Sequence, residues 1–416
     1  MRVRRDGIER SAAPAARTAQ VADILEEVRR DGDVAVIRLT ERFDRAELGP
    51  EQLRVDAREV EAAVRVLEPD VLRALRTAIA NVRAVVGAQL REPVAVEPAE
   101  GQRIEVAEVP VGRAAIYVPA GRAPYPSTVV MGAVTARAAG VDQVAVCAPP
   151  GPGGRANPVI LAACVLCGVA EVYRMGGAQA IAALAYGTET VAPVDVIAGP
   201  GNAWVQEAKR QVAFTHVGID GIAGPSELVV VATDGADTDA IALDLLAQAE
   251  HGEDSPLWLI SPDRALLDAV EQTVGRLAPS RPSAADAELT LVPAASAREA
   301  LSLAERIAPE HLQLMGVEAE ALAGRVRRAG CVFVGNGAAT AFGDYVAGSN
   351  HVLPTGGAAR FQGALSAATF RRRMARVSLS GEAPARLAPA GAALARAEGF
   401  PVHAESMEHR ARPRSS

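Results

Sequence analysis

Lysine is almost missing from this chain. Of 43 basic residues, Lys209 is the single lysine and the rest are arginine. A Walker loop needs a lysine directly after its second glycine, and Lys209 lies in EAKR, so P-loop nucleotide hydrolysis is excluded. A lysine Schiff base would have to use that same residue. Cysteine is nearly as scarce. Cys147, Cys164, Cys167 and Cys331 are too few for a disulfide scaffold, and a reducing cytoplasm is the expected compartment. Cys164 and Cys167 form a lone CxxC without the second pair of a zinc ribbon, so they read as core cysteines. No apolar run is long enough to span a bilayer; the longest, Val159 to Ala170, stops at Glu171. No apolar stretch precedes Glu26 and Glu27, so no secretory signal is visible. An excess of positive charge is missing too. The formal net charge is −7, which argues against general affinity for nucleic acid or an anionic membrane.

What is present is a globular composition. The chain has 416 residues, 49% apolar and 22% charged, enough for two or three domains of ~150 residues with sizeable cores. Residues 16–45 read as two helices joined by a turn at Asp31-Gly32-Asp33, and 57–90 as a further helical stretch. From Val111 short apolar runs (AAIYVPA, QVAVCAPP, AEVYRMGG, VDVIAGPG) alternate with helical segments. After Gly224-Pro225 the rhythm resumes, with strands ELVVVAT, PLWLIS, ELTLVP and CVFVGNG and helices at 237–250, 264–277, 297–307 and 318–329. Strands that are apolar on both faces and joined by helices imply βαβ crossovers and parallel sheets. The expected fold is therefore α/β, with two Rossmann-like parallel-sheet units and helical N-terminal and C-terminal extensions. The boundaries are an N-terminal helical segment 1–112 packing with the second unit, a first α/β unit 113–225, a second 226–360, and a C-terminal helical segment 361–416. The final HRARPRSS reads as a frayed tail.

Several residues could carry chemistry. The loops GPGNAW (199–204) and GNGAAT (335–340) follow strands and open helices, and each can be either a tight turn or a phosphate cradle at a helix N-terminus. Gln248 and His251, three apart at a helix end, can be a polar helix terminus or two ligands of a borderline cation such as Zn²⁺. Glu310-His311 can be a general-base pair or an exposed helix-to-loop junction. Asp344 and His351 lie in GDYVAGSNH, a segment rich in turn formers.

Taken together, VPVGRAAIYVPAGRAPYPSTVVM, GGAQAIAALAYGT, AGPGNAWVQEAKRQV, AGPSEL, AQAEHG, APEHLQL and GDYVAGSNHVLPT resemble, in order, the motifs of the histidinol dehydrogenases. RRDGDVAVIRLTERFD and AEGFPVH extend the resemblance over about 28–403. It implies oxidation of L-histidinol through L-histidinal to L-histidine with two NAD⁺, the last steps of histidine biosynthesis. It also implies one Zn²⁺ per subunit and a cytoplasmic homodimer with shared active sites, with no nucleic-acid or membrane partner. By motif, the zinc ligands would be Gln248, His251 and Asp344, with His403 from the other subunit. Glu310 and His311 would be the catalytic pair. Ser226 and Glu398 would bind substrate alongside the ligands and His311, with His351 in support. Tyr117, Gln179 and Asn202, in the first α/β unit, would contact NAD. The family's usual PGG reads Pro119-Ala120-Gly121 here, and His216 and His409 receive no role.

Oxidising a primary alcohol requires removal of its hydroxyl proton, which suits a neutral His311 imidazole titrating near working pH. The second oxidation needs water added to the aldehyde, which Glu310 is placed to activate. The alternatives are an NAD-dependent dehydrogenase of another small alcohol on the same scaffold, and a zinc hydrolase, which would have no use for the GGAQ and GPGN motifs.

Overall fold

The computed structural model describes residues 1–5, 17–119, 123–284 and 287–412. Ala120 and Gly121 of the expected PGG variation, and the last four tail residues, lie outside them. The chain forms two bodies, one of Met1–Gln89 with Val111–Phe370, the other of Leu90–Pro110 with Arg371–Ser416.

In the first body the apolar runs become two all-parallel sheets. One has six strands: β1 (Arg2–Arg4), β9 (Leu228–Ala232), β10 (Pro256–Ser261), β11 (Glu288–Pro293), β12 (His311–Met315) and β13 (Cys331–Val334), in the order β1-β11-β10-β9-β12-β13. The other has five: β4 (Arg113–Tyr117), β5 (Gln143–Ala148), β6 (Glu171–Arg174), β7 (Val196–Ala198) and β8 (Gly218–Ile219), in the order β6-β5-β4-β7-β8. β9 and β12 are buried along their whole lengths, and β9, LVVVA, accordingly reads as an unbroken apolar run. Strand order reverses between β4 and β7 in one sheet and between β9 and β12 in the other, so each sheet has one topological switch point.

The helices of this body are α1 (Thr18–Asp44), α2 (Ala57–Ala62), α3 (Pro69–Gly87), α4 (Pro126–Val129), α5 (Thr135–Ala138), α6 (Pro158–Leu166), α7 (Gly177–Tyr186), α8 (Ala203–Val212), α9 (Thr238–Ala249), α10 (Arg264–Leu277), α11 (Ala297–Ile307), α12 (Val317–Glu320) and α13 (Thr340–Tyr345). The expected turn at Asp31–Asp33 is a break inside α1, where Gly32 adopts φ +56°. The expected packing of residues 1–112 against the second α/β unit is corrected. α1 shares its core with β4, α7 and α8 of the first unit (Val21, Val28 and Leu39 with Ala115, Ile181 and Val205). α3 joins the core on that sheet's other face. Only β1 enters the six-stranded sheet, pairing with β11. The helix expected over 318–329 stops at Glu320. No helix among the described residues is long and apolar enough to cross a membrane.

The second body differs from the expected helical character of its segments. It holds an antiparallel sheet of β2 (Val94–Val96), β3 (Gln102–Pro110) and β14 (Arg371–Leu379), in the order β14-β3-β2. Cross-strand Arg376–Glu105 (2.7 Å) and Arg373–Glu108 (3.5 Å) pairs line it. Helices α14 (Ala383–Ala397) and α15 (Pro401–Ala411) pack together through Ala392, Ala395, Ala404 and Met407.

Candidate active site

Five of the residues named from sequence meet at the amino edge of the six-stranded sheet. Ser226 stands just before β9, Glu310 just before β12, and His311 is the first residue of β12. α9 runs back across the sheet from the carboxyl end of β9, which returns Gln248, in its last turn, to the same edge. Gln248 donates from Nε2 to Ser226 Oγ (2.6 Å), and Ser226 donates to Glu310 Oε2 (2.6 Å). That oxygen also accepts from the Glu227 backbone N–H (2.9 Å) and lies 3.4 Å from His311 Nδ1. On the ring's other side, Nε2 is 3.7 Å from Asp344 Oδ1. His311 is 2% exposed and Glu310 6%. The junction expected as one reading of the Glu-His pair is therefore buried, and the pair opens a strand. Ala308 makes this possible by turning the chain through φ +50° after α11.

The tautomer of His311 follows from its surroundings. Nδ1 lies 3.2 Å from the Glu227 carbonyl oxygen, which can only accept. In the neutral ring the proton is therefore on Nδ1, and Nε2 is the basic nitrogen. Burial by itself would lower the imidazole's pKa. The Glu310 carboxylate, and after it that of Asp344, outweigh burial and hold it well above the ordinary value. This differs from the near-neutral titration expected from sequence, because the chain order did not show that Asp344 flanks the ring opposite Glu310 or that Glu310 is buried with it. Burial likewise opposes ionisation of Asp344, yet His311, and then His351 and His251, hold its pKa below the usual carboxylate value.

Asp344 is carried by α13, and its backbone carbonyl accepts from His351 Nδ1 (2.9 Å). His351 Nε2 is 3.4 Å from Thr128 Oγ1, and burial lowers its pKa. The segment after α13 is held from outside the sheet: Asn81 of α3 donates to the Val346 carbonyl (2.7 Å). The helix expected to carry both Gln248 and His251 ends at Ala249. His251 follows in a tight turn, its N–H bonded to the Gln248 carbonyl (3.2 Å), and is exposed. Glu398 and His403 belong to the second body, at the end of α14 and in α15, where both are exposed and His403 lies against Phe400.

Among the described residues no three His, Cys, Asp or Glu side chains form a metal-holding group. The expected set brings only His251 and Asp344 of that kind from one chain, with an amide and a second chain supplying the rest. The residues fit such an ion by their chemistry. Gln248 commits its nitrogen to Ser226 and so keeps Oε1 for a cation, and an imidazole, a carboxylate and an amide oxygen suit a borderline divalent ion.

The residues expected at NAD gather at the carboxyl edge of the five-stranded sheet, around its switch point. Tyr117 ends β4, and its hydroxyl accepts from Gly177 N (3.1 Å) at the start of α7. Gln179, in the first turn of α7, is 1% exposed, and neither its Oε1 nor its Nε2 has a hydrogen-bond partner among the described residues. Asn202 caps α8, accepting from Trp204 N (3.0 Å) and Val205 N (3.2 Å). Between them Gly199, at φ +126°, lies so close to the Tyr117 carbonyl that a Cβ would collide with it. An orphaned buried amide at a switch-point crevice fits a dinucleotide.

Sequence reading missed several supporting groups. Glu227 accepts from Gly356 N (2.7 Å) through its carboxylate, besides its backbone links to Glu310 and His311. Gln313, two residues beyond His311 on β12, donates to Asp244 (2.6 Å), one turn before Gln248 on α9. Lys209, 1% exposed, bonds the Gly199 carbonyl (3.0 Å) and pairs with Asp220. The signal available for Lys209 was its uniqueness; Gln313 gave none. In the other loop, GNGAAT, the Asn336 side chain accepts from Asp237 N and donates to the Gly235 carbonyl (3.0 Å each). Burial raises the pKa of Cys164, and that of Cys167 to about 12, in keeping with core thiols. His216 packs edge-on to Tyr186 beside a 260 Å³ cleft at the sheet's amino edge, and His409 is exposed on α15.

The family model for histidinol dehydrogenase matches residues 9–411. The histidinol dehydrogenase of Cereibacter sphaeroides is 45% identical over 411 residues, covering 97% of this chain and 94% of the relative. That of Gluconobacter oxydans is 43% identical, covering 97% and 93%. The crystal structure of histidinol dehydrogenase from Elizabethkingia anophelis superposes with a TM-score of 0.92 at 31% identity, over 99% of this chain and 98% of that one. With its two switch-point sheets and its buried Glu-His pair, the chain belongs to the histidinol dehydrogenase family.

Proposed function

We propose that this protein oxidises L-histidinol through L-histidinal to L-histidine, reducing two NAD⁺, in the cytoplasm, where its free thiols stay reduced. The observation that carries this reading is the connected set Gln248–Ser226–Glu310–His311–Asp344 at one sheet edge. A second copy of the chain contributes Glu398 and His403 to each site, making the enzyme a homodimer. Gln248, His251 and Asp344, with that His403, hold one Zn²⁺. Tyr117, Gln179 and Asn202 hold NAD⁺.

When bound, the zinc ion supplies a Lewis-acidic anchor for the amine and imidazole of the substrate, and NAD⁺ supplies the two-electron acceptor. The chain's own residues handle the protons. His311 Nε2 takes the carbinol proton while its Nδ1–H stays on the Glu227 carbonyl, which fixes the ring plane. With its carboxylate committed to a cation, Asp344 would withdraw one of the two charges that favour a proton on His311 and so shift the imidazole toward its basic form. Glu310 then serves the second oxidation. Its Oε2 is engaged by Ser226 and Glu227, so Oε1 is the oxygen that takes a proton from the water adding to the aldehyde. Ser226 sits at the hinge of both functions, ordering the Gln248 amide on one side and the Glu310 carboxylate on the other. Holding the aldehyde between the two oxidations is a matter of position, worth orders of magnitude in effective concentration.

The test is stoichiometric. Metal-analysed enzyme given L-histidinol and NAD⁺ is expected to form two NADH per histidine, with no free histidinal accumulating. One NADH per turnover with aldehyde released, or turnover on simple diols equal to that on histidinol, overturns the proposal.

A further inference from the structure

We propose that Asp44 receives the hydroxyl pair of the adenosine ribose of NAD⁺, and that it thereby sets a preference for NAD⁺ over its 2′-phosphorylated form. The proposal rests on the reading of the five-stranded sheet's carboxyl edge as the dinucleotide site. It concerns a residue to which the resemblance assigned no role, the last of the segment RRDGDVAVIRLTERFD.

The position of Asp44 follows from how α1 is anchored. At the Gly32 break the helix is tied to the segment after α7. Asp33 N–H donates to Glu189 (2.8 Å), and its carboxylate accepts from Thr188 (2.5 Å) and from Thr190. From Asp33 the second half of α1 runs twelve residues, about 18 Å, to Asp44. It lies along α7, with Val36 and Leu39 in the same core as Ile181 and Leu184. α7 is ten residues, about 15 Å, and its far end is its N-terminus. Asp44 therefore arrives level with Gln179 and the Tyr117 hydroxyl, and its charge acts on Tyr117. The chain just beyond it, Glu47 and Leu48, packs on Gly154 in the loop after β5.

Asp44 Oδ2 is the one buried carboxylate oxygen among the described residues that lacks a hydrogen-bond partner. Leaving such a group without a donor is costly, and burial raises this carboxyl's pKa to about 6. The Gln179 amide, at the same sheet edge, has no partner at either end among the described residues. A carboxylate has only acceptors to offer and a ribose diol offers two O–H donors, so the two match. In dinucleotide-binding sheets the acid that reads this diol comes from the strand next to the switch point. Here that strand, β5, ends in Cys147-Ala148-Pro149 with no acid, and Asp44 reaches the same place from outside the sheet. A 2′-phosphate there would set an anion against an anion.

The test is calorimetric titration of the zinc-loaded full-length enzyme, Asp44→Asn and Asp44→Ala with NAD⁺, NADP⁺ and ADP-ribose, with melting curves to establish folding. Both variants are expected to lose about 10- to 100-fold in affinity for NAD⁺ and for ADP-ribose. They should lose less for NADP⁺, and keep zinc content and histidinol binding. Unchanged NAD⁺ affinity in the folded Asn form overturns the assignment, as does a loss for NAD⁺ with none for ADP-ribose. A parent enzyme that binds zinc and histidinol but neither NAD⁺ nor ADP-ribose would instead defeat the underlying reading of the site.

Discussion

The two parallel sheets of the large body share a topology and use opposite edges. In the five-stranded sheet the carboxyl edge at the switch point between β4 and β7 gathers polar atoms that have no partner among the described residues, those of Gln179 and Asp44 Oδ2. In the six-stranded sheet the equivalent crevice between β9 and β12 is sealed. Gly316 abuts the carbonyls of Thr233 and Asp234, Thr233 Oγ1 accepts from Ala319 N (3.1 Å), and Asn336 bonds Asp237 N and the Gly235 carbonyl. Its polar residues collect at the amino edge instead, where α9 and the start of β12 deliver Gln248, Glu310 and His311. Topology marks where a crevice can form; side chains decide whether it stays open.

The strongest way to break this comparison is at the amino edge. His311→Ala should lower kcat by about 10³-fold while zinc content is unchanged, checked by turnover and metal analysis. Near-normal turnover would move the chemistry away from that edge. His403→Ala alone should lose zinc and activity. Paired with a His251→Ala chain in isolated heterodimers, it should recover roughly half the parental turnover, since one of two isologous sites is then intact. Heterodimers without activity would confine each site to one chain.

The sealed edge gives a sharper test. Gly316→Ala, at φ +92° against two backbone carbonyls, should destabilise by about 2–4 kcal/mol by denaturant melt, because neither carbonyl can yield. Turnover per folded molecule should not change. A fall in kcat of the folded fraction would mean the carboxyl edge of this sheet is not merely structural.

The smallest effect concerns Asp44. Its folded pKa of about 6 lies above the ordinary 3.8, so the folded state holds the proton longer than the unfolded chain does. Stability is therefore lost as pH rises between those values. Without ligand, Asp44→Asn should melt about 2 °C above the parent at pH 8, a figure reduced for the side chain's partial exposure. Near pH 4 the two should coincide. A variant that melts lower at pH 8 would mean the carboxylate has partners after all.

Legibility in the sequence tracked burial and polarity. Runs such as LVVVA and LTLV announced central strands because both faces are apolar. β12 went unread because His311 and Gln313 interrupt its apolar pattern with polar side chains, whose Nδ1 and Nε2 the fold engages from the Glu227 backbone and from Asp244 of α9. The exposed sheet of β2, β3 and β14 went unread for the opposite reason: its arginines and glutamates pair across strands 260 or more residues apart in sequence, as Arg373 does with Glu108. At the site, motif resemblance supplied the residue names. Asp44, Glu227, Gln313 and Lys209 carried no motif role and needed the fold.

By itself the sequence determined that the chain builds parallel α/β sheets, that P-loop chemistry is shut out, and that a Glu-His pair and a Gln-x-x-His pair exist. These are local facts, set by apolar periodicity and by which side chains are available. The tertiary structure alone decided that Ser226 and Glu310, 84 residues apart, share a proton, and that His311 presents Nε2. It also decided that the candidate residues collect at the amino edge of one sheet and at the carboxyl edge of the other. Hydrogen bonding and charge act over a few ångströms of space, and chain separation says nothing about which groups come that close.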